Sequence, residues 1–330
     1  NLIAAAALVM LVYEPYYLLN VSFQLSFLVT LGLIWGAPRL SGLIPIRNRW
    51  LNGLVSVTIA AQLVSFPLTI YYFNEFSLLS FPANFLIVPW VSLFILPLGT
   101  AALLCGSVLP FLGRALGWLT EKMTFFLFWT VEQFSEMEFL HTIWATPSKT
   151  WVILYYLLLV SLVEACLKRK GINDDSVFPR GTLSFFGLRL APVFLGAGFV
   201  ILLIWGYFPD VHKRYGEIDF IDVGQGDAIL IRSPEGKYLL VDGGGTFRFY
   251  KKGEEWKRRK NPFEVGKDIL VPLLKKRGVR YLDAVIATHG DTDHTGGLLQ
   301  VVREIPVGKL LFNGTKPSGG AFLALLEEAV

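Results

Sequence analysis

The chain has 330 residues, is 53% hydrophobic and 17% charged, and has a mean hydropathy of +0.52. Soluble domains are about a quarter charged, so the composition excludes a wholly soluble protein and puts part of the chain in lipid. The net charge of +4 is too small to indicate nucleic acid by itself. The two cysteines, Cys105 and Cys166, both in apolar runs, argue against a disulfide framework or a cysteine zinc site.

Charge is unevenly placed. Residues 1–208 hold 11 Lys/Arg and 9 Asp/Glu, and the shorter stretch 209–330 holds 19 and 17. Two domains are therefore expected, a polytopic membrane domain over 1–208 and a soluble one over 209–330. The chain opens on Asn with no basic n-region and closes inside an expected helix, AFLALLEEAV, so it reads as a fragment truncated at both ends.

A membrane-crossing helix needs about 20 mostly apolar residues. Candidates run over 1–13 (partial), 21–37, 53–73, 84–106, 111–131, 150–167 and 190–208. The segment at 111–131 is interrupted by Arg114, Glu121 and Lys122 and reads equally as an amphipathic interfacial helix. Basic loops favour the cytoplasmic side. Arg39, Arg47 and Arg49 occupy one loop, and Lys168, Arg169, Lys170, Arg180 and Arg189 another. With both inside, everything after 209 is extracytoplasmic, provided 111–131 crosses.

Pro67, Pro82, Pro89 and Pro97 recur through these helices, with Gln62 and Asn84 nearby. Proline removes a backbone donor and kinks a helix, and broken backbone at membrane depth must pack on protein or line a wet cavity. Gln62, Pro67, Asn84, Pro89 and Pro97 are thus candidate channel residues, with ordinary kinks in a helical bundle as the equal alternative.

From residue 216 the period shortens. GEIDFIDV, DAILIRS and KYLLVDGG read as strands with tight turns, SPEGK as a hairpin turn, and DILVPLLKKRGV as an amphipathic helix. YLDAVIATHG returns to strand, GGLLQVVREIP to helix and VGKLLFNG to strand, which indicates an α/β domain. The strand at 281–290 runs into THGDTDHTGG, where His289, Asp291, Asp293 and His294 crowd into six positions. Imidazole and carboxylate groups together suit divalent metals, and a pair of ions can activate water for an in-line displacement. Four such groups in so short a run outweigh the plainer reading of a polar turn capping a helix. His141 and His212 stand alone near membrane boundaries and read as solvated or interfacial.

THGDTDHTGG resembles the HxHxDH signature of the metallo-β-lactamase superfamily. With DVGQGDA at 222–228 and LLVDGGG at 239–245 it is similar to the version found in the ComEC family, the inner-membrane DNA channels of natural competence. FQLSFLVTLG, the spacing from Pro67 to Phe73, and NFLIVPWVSLFILPLG resemble that family's membrane region, so the likeness covers nearly the whole chain. It implies a polytopic helical domain followed by an αββα metallo-β-lactamase-like domain in the inner membrane. It further implies uptake of single-stranded DNA and an outer metal-dependent nuclease acting on the other strand; the alternatives are a non-catalytic gate or DNA-binding module on the channel, or a transporter of another anionic substrate. The partners it implies are DNA, membrane lipid, other DNA-uptake proteins and, as a further candidate, a second copy of the chain.

By the same resemblance His289 and Asp291 serve one metal position, Asp293 and His294 the other, and Asp293 and His294 carry catalysis. Asp291 replaces the signature's second histidine with a harder ligand, which favours manganese or magnesium over zinc. No histidine follows His294, so two ions would need ligands beyond residue 330. Asp222, Gln225, Asp227, Asp242 and Gly243 match the family's upstream motifs and are expected to support the site, Asp242 by bracing the metal loop. The insert 248–261 offers Lys251, Lys252, Trp256, Lys257, Arg258 and Arg259 as candidate DNA contacts. A solvated loop, or one resting on anionic headgroups, is the favoured reading of that insert.

Overall fold

The computed structural model describes residues 2–135, 140–171, 185–245, 262–314 and 320–328. It divides into two units, one made of Asn1–Thr142 with Ser148–Leu202 and the other of Ile143–Pro147 with Leu203–Val330. The candidate DNA contacts between Lys251 and Arg259 lie outside the described residues.

The first unit is helical. Its helices are α1 (Leu2–Tyr13), α2 (Val21–Leu43), α3 (Arg49–Phe73), α4 (Ser80–Trp90), α5 (Leu96–Val108), α6 (Pro110–Ser135), α7 (Lys149–Lys170) and α8 (Phe185–Tyr207). Short polar residues set several boundaries. The side chains of Asn20, Asn48 and Ser148 accept from free backbone N–H groups at the starts of α2, α3 and α7. Asn74 ends α3 and Gly171 ends α7, both in the left-handed conformation.

Five described helices are long and apolar enough to cross a membrane: Val21–Leu43, Arg49–Phe73, Ser80–Val108, Lys149–Arg169 and Leu190–Tyr207. The third joins α4 and α5 through a π-turn at Val91–Ile95, where the Leu96 N–H reaches back to the Val91 carbonyl. That extra residue per turn sits between Pro89 and Pro97, where the ordinary hydrogen-bond ladder lacks two donors. Helix α6 spans 26 residues but is amphipathic and is not among the five.

Close helix contacts depend on small residues. A side chain on Gly32 would overlap Val64, and one on Gly36 would touch Ala60, so α2 and α3 approach through matched four-residue spacings. Gly113 of α6 likewise lies against the backbone of Gly106 in α5. Pro67 leaves the Leu63 carbonyl without its intrahelical donor, and the Tyr155 hydroxyl of α7 donates to it at 3.0 Å. The neighbouring Tyr156 hydroxyl donates to the Val64 carbonyl at 2.8 Å. Gln62 and Pro67 are thus buried within the bundle, Asn84 and Pro89 are half-buried, and Pro97 is exposed. Arg39 of α2 pairs with Glu164 of α7 at 2.9 Å, both largely buried.

The second unit is a five-stranded sheet in the order β3-β4-β5-β6-β7, formed by Glu217–Phe220, Ile229–Arg232, Tyr238–Val241, Ala284–Ala287 and Leu310–Phe312. A separate two-stranded sheet pairs β1 (Glu75–Ser77) with β2 (His141–Ile143). In the large sheet β3, β4 and β5 run antiparallel as hairpins, while β5, β6 and β7 are parallel and joined by helical crossovers. Leu270, Leu274, Leu298, Val301, Phe322 and Leu325, from α9 (Val271–Lys276, with the turn before it), α11 (Leu298–Glu304) and α12 (Gly320–Glu328), pack on Leu230, Leu240 and Val285 of the sheet. These residues form the core, and the strands and helices expected from residue 216 onward are present in that order.

Arg232, 4% exposed at the end of β4, holds the chain that follows α8. Its guanidinium donates to the carbonyls of Asp210, Lys213 and Tyr215. Tyr238 donates to the Asp210 carboxylate at 2.5 Å and Lys213 lies 3.1 Å from it. Burial opposes ionisation of Asp210, but the bonds from Tyr238 and Lys213 and the charges of Lys213 and Arg232 outweigh it and hold the carboxyl below its usual range. Burial, then the Asp210 carboxylate, push the Tyr238 hydroxyl far above the ordinary phenol range. Arg280 lies over the Tyr207 ring and donates to the carbonyls of Tyr207 and Ile143. The Thr146 N–H donates to the Lys276 carbonyl, so the strap Ile143–Pro147 is part of this unit although it precedes α7.

Candidate metal centre

The candidate residues gather where β5 and β6 end. Parallel register opposes Val241 to Ile286, so Asp242 and Thr288 leave the sheet side by side at its carboxyl edge, where ligands of open α/β sheets bind. From Thr288 the chain loops into a single helical turn, α10 (Thr292–Thr295), and then α11. The buried Thr295 hydroxyl closes that turn by donating to the Asp291 carbonyl at 3.0 Å.

Asp242 is the hub. It is 3% exposed and left-handed, with φ +56°. Its Oδ1 accepts the Thr288 N–H at 2.8 Å. Its Oδ2 accepts the Thr288 hydroxyl at 2.6 Å and lies 2.9 Å from His294 Nδ1. A carboxylate only accepts, so His294 Nδ1 carries a proton and points Nε2 away from Asp242.

The rings of His289 and His294 lie 3.7 Å apart between centroids. His289 Nε2 is 3.6 Å from Asp291 Oδ2, and His294 Nε2 is 3.9 Å from Asp293 Oδ2. Two sets of potential ligand atoms result, Asp242/His289/His294 and His289/Asp291/Asp293, each within 4.8 Å of one another. With neutral rings these contacts would set nitrogen lone pairs against carboxylate oxygens, and the donor set fits a divalent ion between them. The expectation paired His289 with Asp291 and Asp293 with His294; the geometry places His289 in both sets and brings Asp242 into one of them.

The other motif residues act mainly through backbone. The carbonyls of Gln225 and Asp227 accept the N–H groups of Gly245 and Gly244, while Gly243 donates to the His294 carbonyl at 2.7 Å. Asp222 closes its own turn by accepting the Gly224 N–H at 3.1 Å. A side chain on Gly226 or Gly245 would overlap the carbonyl oxygen of Asp293 or Thr292. These two glycines let the upstream turns lie directly against the histidine–aspartate loop. Two contributors went unassigned in the sequence. Thr288 stands at the head of the motif, and Asn313 donates to the Thr288 carbonyl at 2.9 Å from the end of β7. A hydroxyl residue directly before the first motif histidine was the available signal for Thr288.

An apolar helical unit followed by an α/β unit with a histidine–aspartate loop at its strand ends defines a polytopic membrane protein with a metallo-β-lactamase-like domain. Residues 221–328 match the metallo-beta-lactamase superfamily. Residues 1–169 match the family described as Competence protein, and the chain belongs to that family. It is 29% identical to ComE operon protein 3 of Bacillus subtilis over 89% of its own length and 35% of the relative's. It is 31% identical to Competence protein ComA of Neisseria gonorrhoeae, over 90% and 36%. With Recombination protein 2 of Haemophilus influenzae it shares 27%, over 83% and 33%. The chain thus spans about a third of the length of the curated relatives it matches. No solved structure matches it.

Proposed function

We propose that the chain belongs to a DNA-uptake channel of natural transformation in the inner membrane. One strand passes through the helical unit, and the α/β unit, on the outer face, hydrolyses the other. Membership of the Competence protein family supports the uptake role. The arrangement of His289 Nε2 against Asp291 Oδ2 and His294 Nε2 against Asp293 Oδ2 carries the hydrolytic one.

His289, Asp291, Asp293 and His294 hold the metal, and ligands elsewhere in the full-length protein complete a second position. When bound, divalent ions supply the Lewis acidity that makes water a nucleophile at neutral pH and neutralises charge on a phosphodiester. The oxygen-rich set around Asp291 and Asp293 suits manganese, with zinc or magnesium as alternatives. Asp242 keeps His294 oriented, and Asp293 and His294 face the reacting phosphate. DNA is the substrate, lipid surrounds the helices, and other uptake proteins and a second copy of the chain are the expected neighbours.

The test is cleavage of single- and double-stranded DNA by the natural full-length protein with manganese, magnesium, zinc or EDTA. Metal-dependent cleavage should fall to background on Asp293→Ala. Wild-type rates in that variant would sink the hydrolase reading. Tight DNA binding without cleavage by the wild type would make the α/β unit a gate.

A further inference from the structure

We propose that Thr288 is a positioning residue. Its hydroxyl links the buried Asp242 carboxylate to the ring of His289, so that one carboxylate sets the tautomer of both motif histidines. The proposal rests on the metal-site reading and deepens it. Thr288 Oγ1 lies 2.6 Å from Asp242 Oδ2 and 2.9 Å from His289 Nδ1. A hydroxyl has one proton and Asp242 can only accept, so that proton goes to Asp242. The hydroxyl oxygen is then left to accept, and His289 Nδ1 must carry the proton it receives.

The chain of bonds reads His289 Nδ1–H to Thr288 Oγ1–H to Asp242 Oδ2, with His294 Nδ1–H reaching the same oxygen directly. Both imidazoles thereby donate through Nδ1, and the neutral rings present Nε2 outward, the atom a metal would take. Asp242 controls His294 at first hand and His289 through Thr288. The Thr288 N–H, bonded to Asp242 Oδ1 at 2.8 Å, holds the relay residue at a second point. In the neutral ring His289 Nε2 has no hydrogen to give Asp291 Oδ2, which lies 3.6 Å away. The relay then sets two acceptors face to face, a pair on which a cation would sit.

The experiment uses the whole chain in lipid nanodiscs, metal-free and labelled with 15N-histidine. The four histidines of the sequence keep the spectrum simple, and His289→Gln and His294→Gln assign the two motif signals. In the wild type both motif imidazoles should show a protonated Nδ1 and a bare Nε2. Finding His289 protonated at Nε2 would overturn the relay without any Thr288 variant.

Thr288→Val should release the His289 signal toward the other tautomer, leave His294 unmoved and weaken Mn2+ binding by about tenfold to a hundredfold. Thr288→Ser, which keeps the hydroxyl, should restore both readouts. If valine behaves as threonine, or serine as valine, the hydroxyl is not the agent and the proposal falls. A wild-type chain with the relay tautomers but no Mn2+ binding would overturn the metal reading instead, so the two failures are distinguishable.

Discussion

A methyl group added at Gly226 would overlap the carbonyl oxygen of Asp293, in a residue whose φ of +83° already excludes most side chains. Gly226→Ala should therefore combine backbone strain with a displaced metal loop and cost about 2 kcal/mol or more. Thermal unfolding of the whole chain would record the loss, and an unchanged midpoint would show that the loop moves aside freely. Asp210 supports a pH prediction. Its carboxyl is held below the usual range when folded, so its contribution is complete above the ordinary value and is lost as pH falls through the folded one. Amide exchange in β3 and β4 should accelerate below about pH 4, and Asp210→Asn should flatten that dependence. The four candidate ligands were legible as a group because their spacing within one loop is itself the chemical signal. Asp242 was legible from its glycine-rich turn, but only as a brace. The role of Thr288 depends on the pairing of Val241 with Ile286 across two strands far apart in sequence, which spacing does not disclose.

At the scale of elements, Pro67 shows what a sequence reading reaches and where it stops. Its effect on α3 follows from the missing N–H, but the hydroxyl that answers it is Tyr155 of α7, 92 residues from the Leu63 carbonyl it bonds. Tyr155→Phe should leave the Leu63 carbonyl unbonded inside the bundle, at a cost of about 1 kcal/mol. Unfolding in detergent would measure it, and no loss would mean that another donor reaches the carbonyl. The span expected at 84–106 is in fact Ser80–Val108, because a π-turn carries the helix past Pro89 and Pro97 rather than letting it break. The doubt over 111–131 has a physical basis as well. Arg114, Glu121, Lys122 and Glu132 make α6 amphipathic along its whole length, and composition alone does not separate an interfacial helix from a crossing one whose polar face meets protein.

For the molecule as a whole, the basic loops predict sidedness. In a cysteine-free background of intact cells, Glu235→Cys at the exposed tip between β4 and β5 should react with an impermeant maleimide. Arg47→Cys should react only after permeabilisation. The reverse pattern would place the α/β unit in the cytoplasm and remove its access to incoming DNA. The strap Ile143–Pro147 bears on the same question by simple counting. The chain leaves the α/β unit at Ser148, runs through α7 and α8, and re-enters it at Leu203. Both α7 and α8 are long and apolar enough to cross, and a crossing pair would make a round trip. If both helices cross, Lys168, Arg169 and Lys170, at the turning point, are expected on the face opposite Ser148. Of the three arginines expected in one loop, Arg39 lies in α2 and Arg49 opens α3. If Arg47, in the turn between them, shares the side of Lys168–Lys170, the count of crossings from α3 through α7 closes only when α6 also crosses. Labelling cysteines placed at Arg47 and Lys170 from the same side or from opposite sides would therefore decide whether α6, the weakest of the expected spans, crosses.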